Sequence, residues 1–168
     1  RAMTSPPLSP EWSALAGRVV AEYRAAIGDD LVAIALFGSV ARGRARPDSD
    51  LDLYVVTRRP GLGDSRLHGM WDRIDASPEY QALVRAGYQP TPSPVPHSVD
   101  DLVRHPWILL DIAHHGVILY DPASVLEREL DAVRRRMAAL GSTRVELPDG
   151  SWYWDLKPDW RPGEVVDL

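Results

Sequence analysis

The sequence predicts an α/β (α+β) protein in which helices pack against a small mixed β-sheet and a C-terminal β-hairpin follows. Four observations predict this class. Apolar residues recur at helical spacing from Trp12 to Ile27, and a continuous apolar run over residues 31–37 comes next. Such a run is typical of a strand buried on both faces, and alternating apolar residues over 50–56 predict a second strand. Pro-Asp-Gly at 148–150 predicts the hairpin turn.

Composition bounds the classes of function. With 168 residues, the chain is long enough for one domain with a hydrophobic core. A formal net charge of −5 does not indicate nucleic-acid binding, although it leaves a local contact open. Because the chain contains no cysteine, disulfides and thiolate metal sites are excluded. No apolar run approaches the roughly 20 residues that span a bilayer, so we expect a cytoplasmic protein without membrane contact.

We expect a single structural domain. Residues 10–142 form its body, and the hairpin and tail over 143–168 pack on the same domain. Residues 1–9 are rich in proline and serine and are expected to be a flexible lead-in. Within them, Arg1-Ala2-Met3 is typical of a remnant of an expression tag, because a native chain normally begins at methionine.

The first helix is expected to begin at Pro10. Ser9 is a favourable N-cap, proline is favoured at the first helical position, and Glu11 lies in the first turn. Gly28 is expected to end this helix. Residues 88–96 contain four prolines, so they form either an edge strand or an extended loop. We also expect helices at 40–44, 64–76, 78–86, 99–103, 107–115 and 121–140, a turn at 58–63, a short buried strand at 117–120, and hairpin strands 144–147 and 152–156 at an edge of the sheet.

The segment that carries chemistry is residues 37–53, FGSVARGRARPDSDLDL. Gly38 ends a buried strand, which lets the backbone turn and approach a ligand closely. Ser39 then offers a hydroxyl and N–H groups near a helix start, an arrangement that suits a phosphate. Asp50 and Asp52 occupy alternate positions of the next strand and therefore share one face. Mg²⁺ binds through carboxylates and substrate phosphates, so the pattern predicts in-line transfer at phosphorus.

Gly-Ser, ten residues and then Asp-X-Asp resembles the signature of the DNA polymerase β-like nucleotidyltransferase superfamily, and of its minimal nucleotidyltransferase branch. The resemblance implies that Gly38 and Ser39 bind the phosphates of a nucleoside triphosphate. It also implies that Asp50 and Asp52 are catalytic and bind Mg²⁺, with two ions if a third carboxylate exists. Arg42 is the next expected phosphate contact. The expected activity is a nucleotidyltransferase of the EC 2.7.7 type that uses ATP or another nucleoside triphosphate.

The same resemblance suggests an acceptor. Minimal nucleotidyltransferases often act as antitoxins that adenylylate a partner toxin, so a hydroxyl of a partner protein is the first acceptor to consider. An RNA end and a small molecule remain alternatives. The expected reaction moves a nucleoside monophosphate, AMP when ATP is used, to that hydroxyl.

Four residues are weaker site candidates. Arg44 and Arg46 follow Arg42 in the loop and are as consistent with a solvated surface as with phosphate contacts. Asp111 is the nearest acid downstream for a third carboxylate, although its segment is predicted to be helical. Lys157 could reach a triphosphate from the tail.

The sequence leaves the third carboxylate open. Active members of the superfamily usually carry it on a later strand, but residues 88–96 contain no acid, and Glu79 precedes them. If it is absent, the alternative function is a catalytically weak or inactive nucleotide-binding module that acts through a protein partner. Trp152, Trp154 and Trp160 near the C-terminus would then form the partner surface, or they pin the tail onto the core.

Overall fold

The structure is a computed structural model that describes residues 6–61 and 64–168. The predicted tag remnant and most of the predicted lead-in lie outside the described residues. Residues 62–63, which belong to the predicted turn over 58–63, also lie outside them.

The secondary structure follows the predicted order of helices and strands. The helices are α1 (Pro10–Ile27), α2 (Gly38–Ala41), α3 (Asp64–Leu67), α4 (Met70–Asp75), α5 (Pro78–Arg85), α6 (Val99–Leu102), α7 (Ile108–His115) and α8 (Val125–Leu140). The strands are β1 (Leu31–Leu36), β2 (Leu51–Thr57), β3 (Pro92–Ser98), β4 (Val117–Tyr120), β5 (Thr143–Glu146) and β6 (Trp152–Asp155).

Four of these strands form one mixed sheet in the order β3-β2-β1-β4. Strand β1 pairs antiparallel with β2 and β4, whereas β2 pairs parallel with β3. Helices cover both faces of the sheet. Alternate residues of β1 accordingly belong to two different hydrophobic clusters. Ile34 and Leu36 pack with α1, α4 and α5, and Ala33 and Ala35 pack with α6, α7 and α8. The predicted α/β class with a small mixed sheet is confirmed.

The proline-rich segment forms edge strand β3. Its ladder with β2 includes a bond from the Leu51 N–H to the Thr91 carbonyl at 2.8 Å. A parallel ladder uses the N–H groups of alternate residues. Pro92, Pro94 and Pro96 therefore occupy the positions whose N–H groups would face away from β2, so proline costs this strand no ladder bond.

Several predicted boundaries and placements were wrong. The hairpin β5–β6 forms a separate two-stranded sheet instead of extending an edge, and its Trp154 packs against His114 of α7. Strand β4 is half-buried along its length, as expected for an edge strand. The helix predicted at 64–76 breaks at Gly69, where φ is +70°. The helix predicted at 40–44 begins at Gly38, and the one predicted from Asp121 begins at Val125.

Asp121 lies before α8 and caps it instead of starting it. Its carboxylate accepts the N–H groups of Val125 and Glu127, both at 2.8 Å. These bonds satisfy backbone donors that a helix N-terminus leaves without intrahelical partners. In the described part of the chain, no helix combines the length and apolar character needed to cross a membrane.

Candidate functional site

One cleft of about 630 Å³ lies where β1 ends and β2 begins. The volume is in the range of small-molecule sites. Every predicted site residue except Lys157 lines it, which brings together Gly38, Ser39, Arg42, Arg44, Arg46, Asp50, Asp52 and Asp111.

Gly38 forms the turn that lets β1 and β2 present their ends to the cleft. The Phe37 N–H donates to the Asp52 carbonyl at 3.0 Å and joins the two strands at this point. Gly38 itself has a φ of +74°, a conformation that favours glycine. A Cβ atom there would overlap the Asp52 carboxylate, with Cγ only 2.9 Å away. The missing side chain therefore makes room for the carboxylate.

Asp50 and Asp52 concentrate negative charge at this point. Burial raises the pKa of Asp52 above its ordinary value, and the charge of Asp50 raises it further, whereas Ser93 and Arg42 act in the opposite direction. Within the described residues neither carboxylate forms a salt bridge. Hard oxygen donors that repel each other in this way fit a divalent cation such as Mg²⁺, whose other ligands would come from phosphates and water.

Ser39 is linked to the loop that precedes β2. Its hydroxyl hydrogen-bonds to the Ser49 hydroxyl at 2.9 Å, and the Ser49 hydroxyl accepts the Arg46 N–H at 2.8 Å. The Arg44 N–H donates to the Ser39 carbonyl at 2.9 Å. These bonds close the ten-residue loop on itself, which explains how the spacing between Gly-Ser and Asp-X-Asp produces one compact site.

The third carboxylate is not supplied by β3. Ser93 of β3 lies opposite Asp52 of β2 in the parallel register. Asp111 reaches the cleft from α7, where its Oδ1 accepts the Trp154 indole N–H at 3.1 Å. Glu79 lies elsewhere, in an ion pair with Arg18 at 3.2 Å. Residues 6–61 and 64–168 contain no cluster of three or more acidic, histidine or cysteine side chains with the geometry to bind a metal ion.

Lys157 is not brought to the cleft. Its Nζ pairs with Glu164 at 2.6 Å, and the residue lines a different cavity beside the end of α8. Conversely, Asp48, Ser49 and Trp152 line the cleft although sequence reasoning did not assign them to the site. The position of Ser49 between two aspartates was a signal that could have found it. No local signal places Trp152 there.

His115, at the end of α7, interacts with charged residues of the cleft, among them Arg42 and Asp111. Burial, followed by the charges of His114, Arg144 and Arg42, lowers its pKa from 6.5 to about 4, and Asp111 acts in the opposite direction. A neutral His115 can accept the hydrogen bond from Arg144 Nη1 to its Nε2 at 2.9 Å.

The lowered pKa of His115 predicts a loss of stability in acid. The unfolded chain binds this proton near pH 6.5, whereas the native protein resists it until about pH 4. The contribution of His115 to stability is therefore fully present above pH 6.5 and is lost as the pH falls toward 4. We expect the urea midpoint to drop between pH 7 and pH 5, and to drop less in His115→Gln. An equal drop in both proteins would contradict this assignment.

Comparison with known proteins identifies the domain. Residues 20–138, more than half of the chain, match the family model described as nucleotidyltransferase domain. No curated protein matches the chain.

Solved structures also resemble the chain. One is a toxin–antitoxin structure with AMP-PNP, 16% identical, with a TM-score of 0.47 over 75% of this chain and 92% of that one. Another is a tri-AMPylated Shewanella oneidensis HEPN toxin in complex with MNT antitoxin, 14% identical, with a TM-score of 0.42 over 76% of this chain and 91% of that one. The match over residues 20–138 shows that the chain belongs to the nucleotidyltransferase domain family.

Proposed function

We propose that the protein is a Mg²⁺-dependent nucleotidyltransferase that binds a nucleoside triphosphate in the cleft. It transfers the nucleoside monophosphate to an acceptor hydroxyl and releases pyrophosphate. The observation that carries the proposal is the meeting of Gly38, Asp50 and Asp52 at one cleft, in a chain of the nucleotidyltransferase domain family.

Each residue has a role that its position supports. Asp50 and Asp52 would hold Mg²⁺, because their carboxylates lie together without a salt-bridge partner in the described residues. When bound, the metal supplies neutralisation of negative charge on the phosphates. The Gly38-Ser39 turn would contact the β- and γ-phosphates, since both residues line the cleft beside the two aspartates. Arg42 would donate to a phosphate oxygen through its guanidinium group.

The reaction needs alignment more than covalent chemistry. The acceptor oxygen forms a bond to the α-phosphorus while the bond from that phosphorus to the β-phosphate oxygen breaks. The chain's part is to hold the triphosphate so that these two oxygens are in line. ATP is the triphosphate and a hydroxyl of a partner protein is the acceptor that we propose to test first, as the family resemblance of the sequence implies. A cytoplasmic location remains a prediction from composition.

One observation favours a second candidate function. Strand β3 places Ser93, and not an acid, beside Asp52. A serine hydroxyl is a poor general base at neutral pH compared with a carboxylate. If no other group takes the acceptor's proton, the protein would bind a nucleotide and transfer it slowly or not at all, and its work would be to bind a partner.

The position of a label separates transfer from binding. We expect label from ATP marked at the α-phosphate to enter a covalent product in the presence of Mg²⁺ and acceptor. Label at the γ-phosphate should appear only in pyrophosphate. Covalent incorporation of the γ-label would contradict nucleotidyl transfer. Mg²⁺-dependent ATP binding with no incorporation of either label would favour the binding module.

A further inference from the structure

The hairpin β5–β6 takes part in the cleft although it lies outside residues 20–138, which match the family model. Trp152, the first residue of β6, lines the cleft beside Arg42. Neighbouring Trp154 anchors the hairpin on α7, through its bond to Asp111 and an edge-on contact with the His114 ring at 5.1 Å between centroids. The C-terminal hairpin therefore supplies part of the wall of the cleft.

Two guanidinium groups lie against the Trp152 ring. The Cζ atom of Arg42 is 4.6 Å from the ring centroid, and that of Arg144 is 4.5 Å away. Both distances are well within the range of a cation–π interaction. Arg42 comes from the start of the domain and Arg144 from β5, so the indole connects the predicted phosphate contact to the hairpin.

Arg144 is itself held in place. Its side chain is only 14% exposed, and it pairs with Glu146 at 3.3 Å and with the His115 ring at 2.9 Å. Its Nε atom is buried without a hydrogen-bond partner in the described structure. Because Glu146 and His115 hold the Arg144 guanidinium, Arg144 supports the adjoining Trp152 ring.

Arg42 is partly buried among charges of both signs. Burial lowers the pKa of Arg42, and the charges of Arg144 and Arg44 lower it further, whereas Asp111 and Asp52 act in the opposite direction. A bound polyanion would relieve the repulsion.

We infer that the C-terminal hairpin positions Arg42 to contact the triphosphate chain. The Arg42 guanidinium packs against the Trp152 ring, and Arg144 packs against the same ring and holds it in position. The inference rests on the proposed function, because it assumes that a nucleoside triphosphate occupies the cleft. Trp152 and Arg144 are positioning residues, and Arg42 makes the phosphate contact. The hairpin is thus part of the nucleotide site.

A double-mutant cycle tests this relation. Mg²⁺–ATP affinity is measured by calorimetry for the wild type, Trp152→Ala, Arg42→Gln and the double variant. We expect Trp152→Ala alone to weaken Mg²⁺–ATP binding about tenfold. In the Arg42→Gln background the same substitution should weaken it less than about twofold. AMP, which lacks the β- and γ-phosphates, should show a smaller loss than ATP. Trp152→Phe keeps an aromatic face and should restore most of the affinity.

Trp160→Ala is the matched control, because this exposed tail tryptophan lies outside the cleft. It should leave ATP affinity unchanged. If Trp152→Ala simply unfolds the hairpin, Arg144→Gln replaces it in the cycle, since this change removes the guanidinium that lies over the Trp152 ring and leaves the ring in place. Arg144→Gln should then weaken ATP binding in the wild-type background and not in the Arg42→Gln background.

The outcomes separate the inference from the proposed function. No Mg²⁺–ATP binding by the wild type would contradict both. Binding by the wild type, with the same loss from Trp152→Ala in both backgrounds, would overturn only the positioning role. An equal loss for ATP and AMP would also overturn it.

Discussion

The Asp50→Asn/Asp52→Asn double variant is expected to lose nucleotidyl transfer by roughly 1,000-fold or more. Neutralisation of phosphate charge by a metal contributes several kcal/mol to such a reaction, and the rate falls about tenfold for every 1.4 kcal/mol lost. Asparagine keeps the size and one oxygen of each side chain but removes both charges. The loss is measured as label incorporated from ATP marked at the α-phosphate.

The same variant should not be less stable without metal. Replacing the two carboxylates removes the repulsion between them and the cost of burying the charge of Asp52. The matched control is Asp72→Asn/Asp75→Asn on α4, a pair of interacting acids that does not line the cleft. The control should retain full transfer. Equal activity of the Asp50/Asp52 variant and the wild type would contradict the assignment of these carboxylates.

Gly38→Ala is expected to damage the site and the fold together. The added Cβ would overlap the Asp52 carboxylate, and alanine would have to adopt the φ of +74°. Backbone strain and overpacking together cost about 2 kcal/mol or more of unfolding free energy. Displacement of Asp52 should also weaken Mg²⁺-dependent nucleotide binding. Urea denaturation measures the first effect and calorimetry the second.

Gly17→Ala provides the control for Gly38→Ala. Gly17 is exposed on α1, and nothing lies within 4 Å of a Cβ added there. Because alanine is the better helix former, this variant should gain roughly 1 kcal/mol of stability and keep nucleotide binding. A Gly38→Ala protein as stable as the wild type would show that the close approach to Asp52 is not required.

The core of the site could be predicted because its parts are close in the sequence. One strand, one turn and the next strand lie within residues 31–57, and each is indicated by a local pattern. Alternation over residues 50–56 predicted that Asp50 and Asp52 lie together, although Asp50 immediately precedes β2, and glycine at position 38 predicted the turn. The α/β class followed from the same periodicities.

The role of the hairpin in the cleft could not be predicted, because it depends on contacts between segments that are distant in the sequence. Trp152 and Arg42 are far apart in sequence, and the spacing of Trp152 and Trp154 indicates a strand face without showing what it packs against. The single helix predicted at 64–76 was wrong, because the helical periodicity of the sequence continues across Gly69. The positive φ of Gly69 interrupts the helix there. The exact start of α2 depends on the backbone conformation of Gly38, which composition does not determine.

The most direct test of the central claim is a calorimetric titration of ATP, GTP, CTP and UTP, with and without Mg²⁺, into the wild type and the Asp50→Asn/Asp52→Asn variant. We predict that the wild type binds at least one of the four only when Mg²⁺ is present, and that the variant loses this binding. Binding that is independent of Mg²⁺, binding that survives in the variant, or no binding to any of the four would contradict a metal-dependent nucleotide site at Asp50 and Asp52.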